Sequence, residues 1–264
     1  MTRLAISPCP NDTFAFYALL HGKTSLTDLP EVRYADIEEL NRLCFAGEVD
    51  YCKISFGAWP ALHDRYSLLD AGSALGFGCG PLLVAPAVVP LACLAQKRIA
   101  VPGIHTTATL LLKLMLDGEA NLVEMAFDRI MPAVAEGSVD AGLIIHESRF
   151  TYADHGLVSL VDLGQWWEQT SGAAIPLGGI VAANHLPETD RAAFETALRE
   201  SIDYAWSHPD EPVPFMQQHA QEMAAQVMAQ HVDLYVNKFT RSLGRPGRNA
   251  IETLVARARQ KGLV

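Results

Sequence analysis

GEVDYCKIS at residues 47–55 and GSVDAGLII at residues 137–145 decide the fold. Each opens on a glycine able to end a helix, passes through Val-Asp and runs into an apolar strand. A second pair of stretches keeps the same order. SPCPNDTF, residues 7–14, has Pro8 and Thr13 five apart before an apolar helix, and VPGIHTTA, residues 101–108, has Pro102 and Thr107 five apart before TLLLKLML. Two matches in one order at similar separation predict two like-built α/β lobes, and two lobes imply a cleft between them.

Around these landmarks, short apolar runs alternate with helix-length amphipathic segments. RLAIS reads as a strand, followed by a Pro-rich turn and a helix that Asn11 or Asp12 caps and that runs through Leu20. EVRYAD is the next strand. IEELNRLCFA is a helix with Ile37, Leu40, Leu43 and Cys44 on one face, stopped by Gly47, and VDYCKIS and YSLLD are strands. The alternation predicts a mainly parallel sheet with helices on both faces. GPLLVAP (80–86) and LGGIVAAN (177–184) are apolar, flanked by glycine, and placed to cross between the lobes. Lobe 1 is then residues 1–96 plus 184–264, lobe 2 residues 97–183, and residues 188–264 read as helical.

Composition excludes several classes. Of 264 residues, half are hydrophobic and 19% are charged, as in a folded domain with ample core rather than a disordered chain. The net charge of −10 comes without a Lys/Arg stripe, against nucleic acid or anionic membrane as partner. Five cysteines, without a C-x-x-C pair, read as reduced thiols. MTRLAISPCPND lacks the apolar segment of a secretory signal, and no run approaches membrane-spanning length, so a cytoplasmic location is expected.

In open α/β sheets ligands bind beyond the carboxyl ends of strands. That rule selects four stretches. Residues 7–13 set polar groups between a strand and a helix start, where simple capping is the competing reading. Lys53-Ile54-Ser55 ends an otherwise apolar strand, and a buried ammonium there needs a partner or an anionic ligand; a surface lysine is the alternative. Thr106 and Thr107 open a helix after a glycine, which suits a carboxylate or equally a plain N-cap. In GLIIHESRFTY, residues 142–152, a core strand gives way to His146 without an intervening turn. A neutral imidazole with an ordinary pKa of about 6.5 can accept a proton near neutrality. By the repeat, His146 takes the place of Phe56, so both should face the cleft.

Other motifs fail. HGKTS lacks the first glycine of a phosphate loop, since position 17 is tyrosine. GFGCGP precedes a strand rather than a helix, so it serves a tight turn or a close backbone approach. No G-x-S-x-G occurs, and nine scattered histidines give no metal-ligand spacing. Trp166 and Trp167 read as packing.

SPCPNDTFAFYALLHG, GIHTTA, GLIIHESRFTY and VDLGQWWE resemble the 1,4-dihydroxy-6-naphthoate synthase family of the futalosine route to menaquinone. The resemblance runs from about Ser7 to Asn237. It implies the two-lobed fold of type II periplasmic binding proteins, with a central cleft and two crossover strands. It also implies a lyase that converts cyclic dehypoxanthine futalosine to 1,4-dihydroxy-6-naphthoate and a dihydroxyacetone fragment without a metal or organic cofactor. By that resemblance His146 is the proton acceptor, and Lys53, Ile54, Ser55, Thr107 and Ala108 contact the substrate, with Thr106 added by adjacency. Cys52 stands where members often carry threonine. Two other readings stay open: a non-catalytic solute-binding protein for a small carboxylate, and the related chorismate dehydratase.

Overall fold

A computed structural model describes residues 2–118, 120–220 and 224–264. The first unit runs β1 (Arg3–Ile6), α1 (Pro10–Leu20), β2 (Glu31–Tyr34), α2 (Ile37–Ala46) and β3 (Tyr51–Ser55), followed by the short strands β4 (Tyr66–Leu68) and β5 (Ala74–Gly76). After β6 (Leu82–Ala85) the second unit repeats the plan as β7 (Arg98–Val101), α3 (Thr107–Met115), β8 (Asn121–Glu124), α4 (Phe127–Ala135) and β9 (Ala141–Ile144). Helix α5 (Ser148–Thr151), β10 (Val158–Asp162), α6 (Leu163–Ser171) and β11 (Ile175–Ala183) follow. The chain closes with α7 (Glu188–Ser207), α8 (Val213–His219), α9 (Ala225–Tyr235), α10 (Lys238–Arg241) and α11 (Gly244–Gln260).

The two sheets have one design. Their strand orders are β2-β1-β3-β11-β4, with β5 also on β11, and β8-β7-β9-β6-β10. In each, the first three strands are parallel and the fourth is antiparallel. The sequence repeat has a physical basis. Gly47 and Gly137 both take left-handed φ values, 71° and 75°, which glycine adopts without steric cost. Asp50 and Asp140, three residues on, do the same job: the Asp50 carboxylate accepts from the Arg3 N–H at 2.7 Å and that of Asp140 from the Arg98 N–H at 2.9 Å. Each aspartate thereby ties the start of its unit's first strand to the start of the third.

Two expectations are corrected. The sheets are mixed, because β6 and β11 each enter from the other unit, at the end where β9 and β3 leave, and so run opposite to them. Sheet membership changes between Gly76 and Leu82 and again between Asp162 and Ile175, not at 96/97 and 183/184: β6 pairs with β9 and β10, and β11 with β3, β4 and β5. Helix α11 packs both on β11 of the first sheet and on α3 of the second unit, through Ala250, Ile251, Leu254 and Ala258, and so bridges the two. The two passages between sheets meet at glycines. A Cβ on Gly80 would lie 2.2 Å from the Gly164 backbone, far inside van der Waals contact, so the Gly-rich GFGCGP serves backbone contact here. Arg149 braces the same point, donating to the Gly80 carbonyl and to Asp162 at 2.9 Å.

Helix α1 is buried along nearly its whole length between α7, α8 and α9. Polar residues Asn11, Asp12 and Thr13 are therefore interior, and their hydrogen bonds must be met within the protein. The cap of α1 is Cys9, with Pro10 at the first helical position, so Asn11 and Asp12 are not caps and serve elsewhere.

Candidate active site

Strand alternation sorts the end of β3. Lys53 and Ser55 point to one face and Ile54 to the other. Ile54 is fully buried with Leu40 and Leu43, so its side chain does not reach the cavity that Lys53 and Ser55 line. Lys53 is only 5% exposed, and its ammonium donates to Asp12 Oδ1 at 2.6 Å and to the Gly72 carbonyl at 3.4 Å. The other Asp12 oxygen accepts from the Ser7 N–H at 3.2 Å and hydroxyl at 2.7 Å. This lysine is neither on the surface nor waiting for an anion: it has a protein counter-ion, and a third N–H remains for a ligand. Asn41 fixes Ser55 from both sides, accepting from its N–H at 2.9 Å and donating to its hydroxyl oxygen at 3.2 Å, which leaves the Ser55 hydrogen free to donate.

In the second unit Thr106 caps α3, accepting from the Thr109 N–H and donating to the Gly103 carbonyl at 2.9 Å. The Thr107 hydroxyl donates to the Leu177 carbonyl at 2.6 Å and accepts from the Gly57 N–H at 3.0 Å, clamping the two units together. Each hydroxyl has one hydrogen, and both are spent on carbonyls. The two threonines therefore offer a ligand their backbone and not their O–H groups. Thr107 and Ala108 stand in the first turn, where N–H groups have no intrahelical acceptor.

These residues meet around one cavity between the sheets, which Lys53, Ser55, Thr106, Thr107, Ala108 and His146 all line. His146 leaves β9 with φ = 56°, a left-handed conformation uncommon for a residue with a side chain. Such a conformation costs on the order of 1–3 kcal/mol and is found where the surrounding structure imposes it. Here it swings the ring from the end of β9 to the cavity wall, beside the edge of Phe127 (centroids 5.3 Å apart). The Nδ1 atom lies 3.5 Å from Cys9 Sγ, and among the described residues Nε2 has no protein hydrogen bond. Burial disfavours the imidazolium and holds the pKa below its ordinary value, outweighing the opposite pull of the Glu147 charge. Phe56, the positional counterpart, is fully buried in the core instead and does not line the cavity.

Sequence reasoning missed the residues that α9 contributes. His231 and Tyr235 line the cavity, and the His231 ring stacks toward His146 at 6.3 Å. Asn11 sets its tautomer. The Asn11 amide donates to the Asp12 carboxylate at 2.8 Å, so its oxygen faces His231 and accepts from Nε2 at 2.9 Å. On the far side, His231 Nδ1 and Glu147 Oε2 face each other at 4.0 Å, each without a hydrogen bond. No spacing in the sequence announces a histidine 85 positions beyond His146. The signal available was weak: a histidine three residues after Met228 and four before Tyr235, on the face of an amphipathic helix that these two residues mark as interior.

Burial lowers the pKa of His231 well below its ordinary value, with His146 and Lys53 as further causes. Both histidines then bind protons more weakly folded than unfolded. Their contribution to stability is complete above the unfolded value of about 6.5 and is lost as pH falls below it, with a slope of up to ~1.4 kcal/mol per pH unit for each. Urea midpoints measured from pH 7 to pH 5 should fall, and His231→Gln, which keeps a donor to Asn11, should flatten the fall. Equal slopes in the two proteins would contradict a neutral buried His231.

Two mixed sheets of matching order, joined by paired crossings around a central cavity, define the type II periplasmic-binding-protein-like class. Solved structures agree: the ligand-binding component of an ABC-type import system from Staphylococcus aureus superposes with TM-score 0.73 at 11% identity over 100% of this chain and 92% of its own. An alkanesulfonate-binding protein from Xanthomonas axonopodis, solved with MOPS, gives 0.73 at 15% over 99% and 93%. At such identities the likeness shows the fold alone.

The chain belongs to the menaquinone biosynthesis family, whose model matches residues 2–260, and like its curated relatives it is an enzyme. Two of them, from Thermus thermophilus and Streptomyces coelicolor, are both named 1,4-dihydroxy-6-naphthoate synthase. They are 48% and 44% identical, each across 99% of this chain, and 95% and 94% of their own lengths are covered. A crystal structure of an Archaeoglobus fulgidus protein superposes with TM-score 0.94 at 39% identity over 99% of this chain and 98% of its own. Among the described residues no helix is long and apolar enough to cross a membrane.

Proposed function

We propose that the protein is a carbon–carbon lyase that converts cyclic dehypoxanthine futalosine to 1,4-dihydroxy-6-naphthoate and a dihydroxyacetone fragment in the cytoplasm, with His146 as general base. The observation that carries this reading is the His146 imidazole, whose pKa burial holds below its ordinary value, on the wall of a cavity that Lys53, Ser55 and the start of α3 also line. Removing a proton from carbon beside a ketone needs a neutral base and donors for the developing enolate oxygen. His146 supplies the lone pair, and the unspent hydrogens of Ser55 and Lys53 are donors available to the oxygen. Ring opening and a retro-aldol cleavage then follow, and the aromatic naphthoate that forms makes the sequence favourable. The substrate carboxylate fits the N-terminus of α3, where the N–H groups of Thr107 and Ala108 add to the positive end of the helix dipole.

The purified protein given cyclic dehypoxanthine futalosine should release 1,4-dihydroxy-6-naphthoate. Binding without conversion over long incubation would favour the solute-binding reading instead, and elimination of water from chorismate would favour the dehydratase. Either result replaces the proposal.

A further inference from the structure

The lyase reaction handles two oxygens. The enolate oxygen has the hydrogens of Ser55 and Lys53 available to it. The other is the oxygen of the sugar-derived ring. While an ether holds that oxygen it cannot become a carbonyl, so a retro-aldol step needs the C–O bond opened first. The oxygen must gain a proton as the ring opens and lose one as the C–C bond breaks. A single acid–base group beside it can do both.

Three of the hydroxyls lining the cavity are already spent. Ser7 donates to Asp12, Thr106 to the Gly103 carbonyl and Thr107 to the Leu177 carbonyl. Tyr235 differs from them. It lines the same cavity from α9, it is only 7% exposed, and among the described residues its hydroxyl has no hydrogen-bond partner. A buried phenol usually finds one. Glu147 Oε2 is unpaired as well, but protein atoms seal it; the Tyr235 oxygen is not sealed, and the open space that Tyr235 lines is the cavity. The His231 ring lies 6.3 Å from that of His146 and 4.6 Å from that of Tyr235, which sets the phenol in the neighbourhood of the base.

We infer that Tyr235 is a second catalytic residue: its hydroxyl protonates the ring oxygen as the C–O bond breaks and takes that proton back in the retro-aldol step. The inference rests on the lyase reading. As the enolate collapses, the ring C–O bond breaks with its electron pair on oxygen, which receives the Tyr235 proton and leaves a phenolate. The phenolate then removes that proton, the oxygen becomes the carbonyl, and the C–C electron pair passes to the three-carbon fragment. His146, protonated in the first step, returns its proton to the fragment carbon. Both residues end as they began, and no other reactant enters. Burial pushes the Tyr235 phenol up, so it keeps its proton until an alkoxide forms beside it.

The test is Tyr235→Phe, which removes one oxygen and no protein hydrogen bond. Its urea midpoint should equal that of wild type, because the hydroxyl holds nothing in the fold. With cyclic dehypoxanthine futalosine its kcat should fall by about 10²–10⁴-fold, the usual worth of a placed acid–base group, with KM little changed. A near-normal kcat overturns the inference. So does a loss carried by KM, which would make the hydroxyl a binding contact, and so does a lowered urea midpoint, which would make it part of the fold. Failure of the lyase reading is separate: it would appear as absent turnover in wild type, whereas an active wild type beside an unimpaired Tyr235→Phe protein removes Tyr235 alone.

Discussion

His146→Asn is expected to lower conversion of cyclic dehypoxanthine futalosine by about 10²–10⁴-fold, the usual contribution of a placed base, without unfolding the protein. The choice of asparagine follows from the backbone. At φ = 56° alanine carries the full left-handed penalty of roughly 1–2 kcal/mol, whereas asparagine enters that region readily. Comparing the two variants therefore separates chemistry from strain: both should lose turnover alike, and only His146→Ala should also lose stability. Single-turnover rates and urea midpoints on the same preparations measure this. An asparagine variant with near-normal kcat removes His146 as base.

The second large effect concerns the Lys53–Asp12 pair, whose side chains are 7% and 3% exposed. Two charges this deep are stabilised only by each other and by their hydrogen bonds, so removing one partner strands the other. Lys53→Met or Asp12→Leu alone should destabilise the fold by about 3–5 kcal/mol, and the double variant by less than the sum. Asp12→Leu should be the worse single change, since it also orphans Ser7 and Asn11. A double-mutant cycle in urea gives the coupling, and additive losses would contradict a buried ion pair. In the Lys53→Met protein, weaker product binding is expected as well, through loss of the remaining N–H toward the cavity.

The plan of the protein was readable because the repeat records local backbone requirements. A glycine at a left-handed helix end and an aspartate three residues on, which accepts from a backbone N–H, are short-range demands, and they recur at Gly47–Asp50 and Gly137–Asp140. Strand alternation, a local rule not applied to β3 in the sequence reading, sets Lys53 and Ser55 on one face. The same rule, applied to Ile54, puts it in the core, and the resemblance that grouped it with its neighbours carried no information on facing. What sequence could not supply were relations across distance. Asp12 reaches Lys53, and Asn11 reaches His231 from 220 positions away, through a helix buried on every side. Strand direction was misread for the same reason: β6 and β11 owe theirs to where the chain comes from, not to their composition. The turn of His146 onto the cavity wall is a tertiary constraint that a run of apolar residues ending in histidine does not encode.

The central claim is that one small molecule sits between the two sheets within reach of an uncharged His146. A crystal structure with bound 1,4-dihydroxy-6-naphthoate tests it most directly. The ligand should lie in the cavity with its carboxylate at the N–H groups of Thr107 and Ala108 or at Lys53, its ring near Ser55, and His146 Nε2 facing it. A ligand bound elsewhere, or one in the cavity with the His146 ring turned away and shielded from it by packing, would contradict the account.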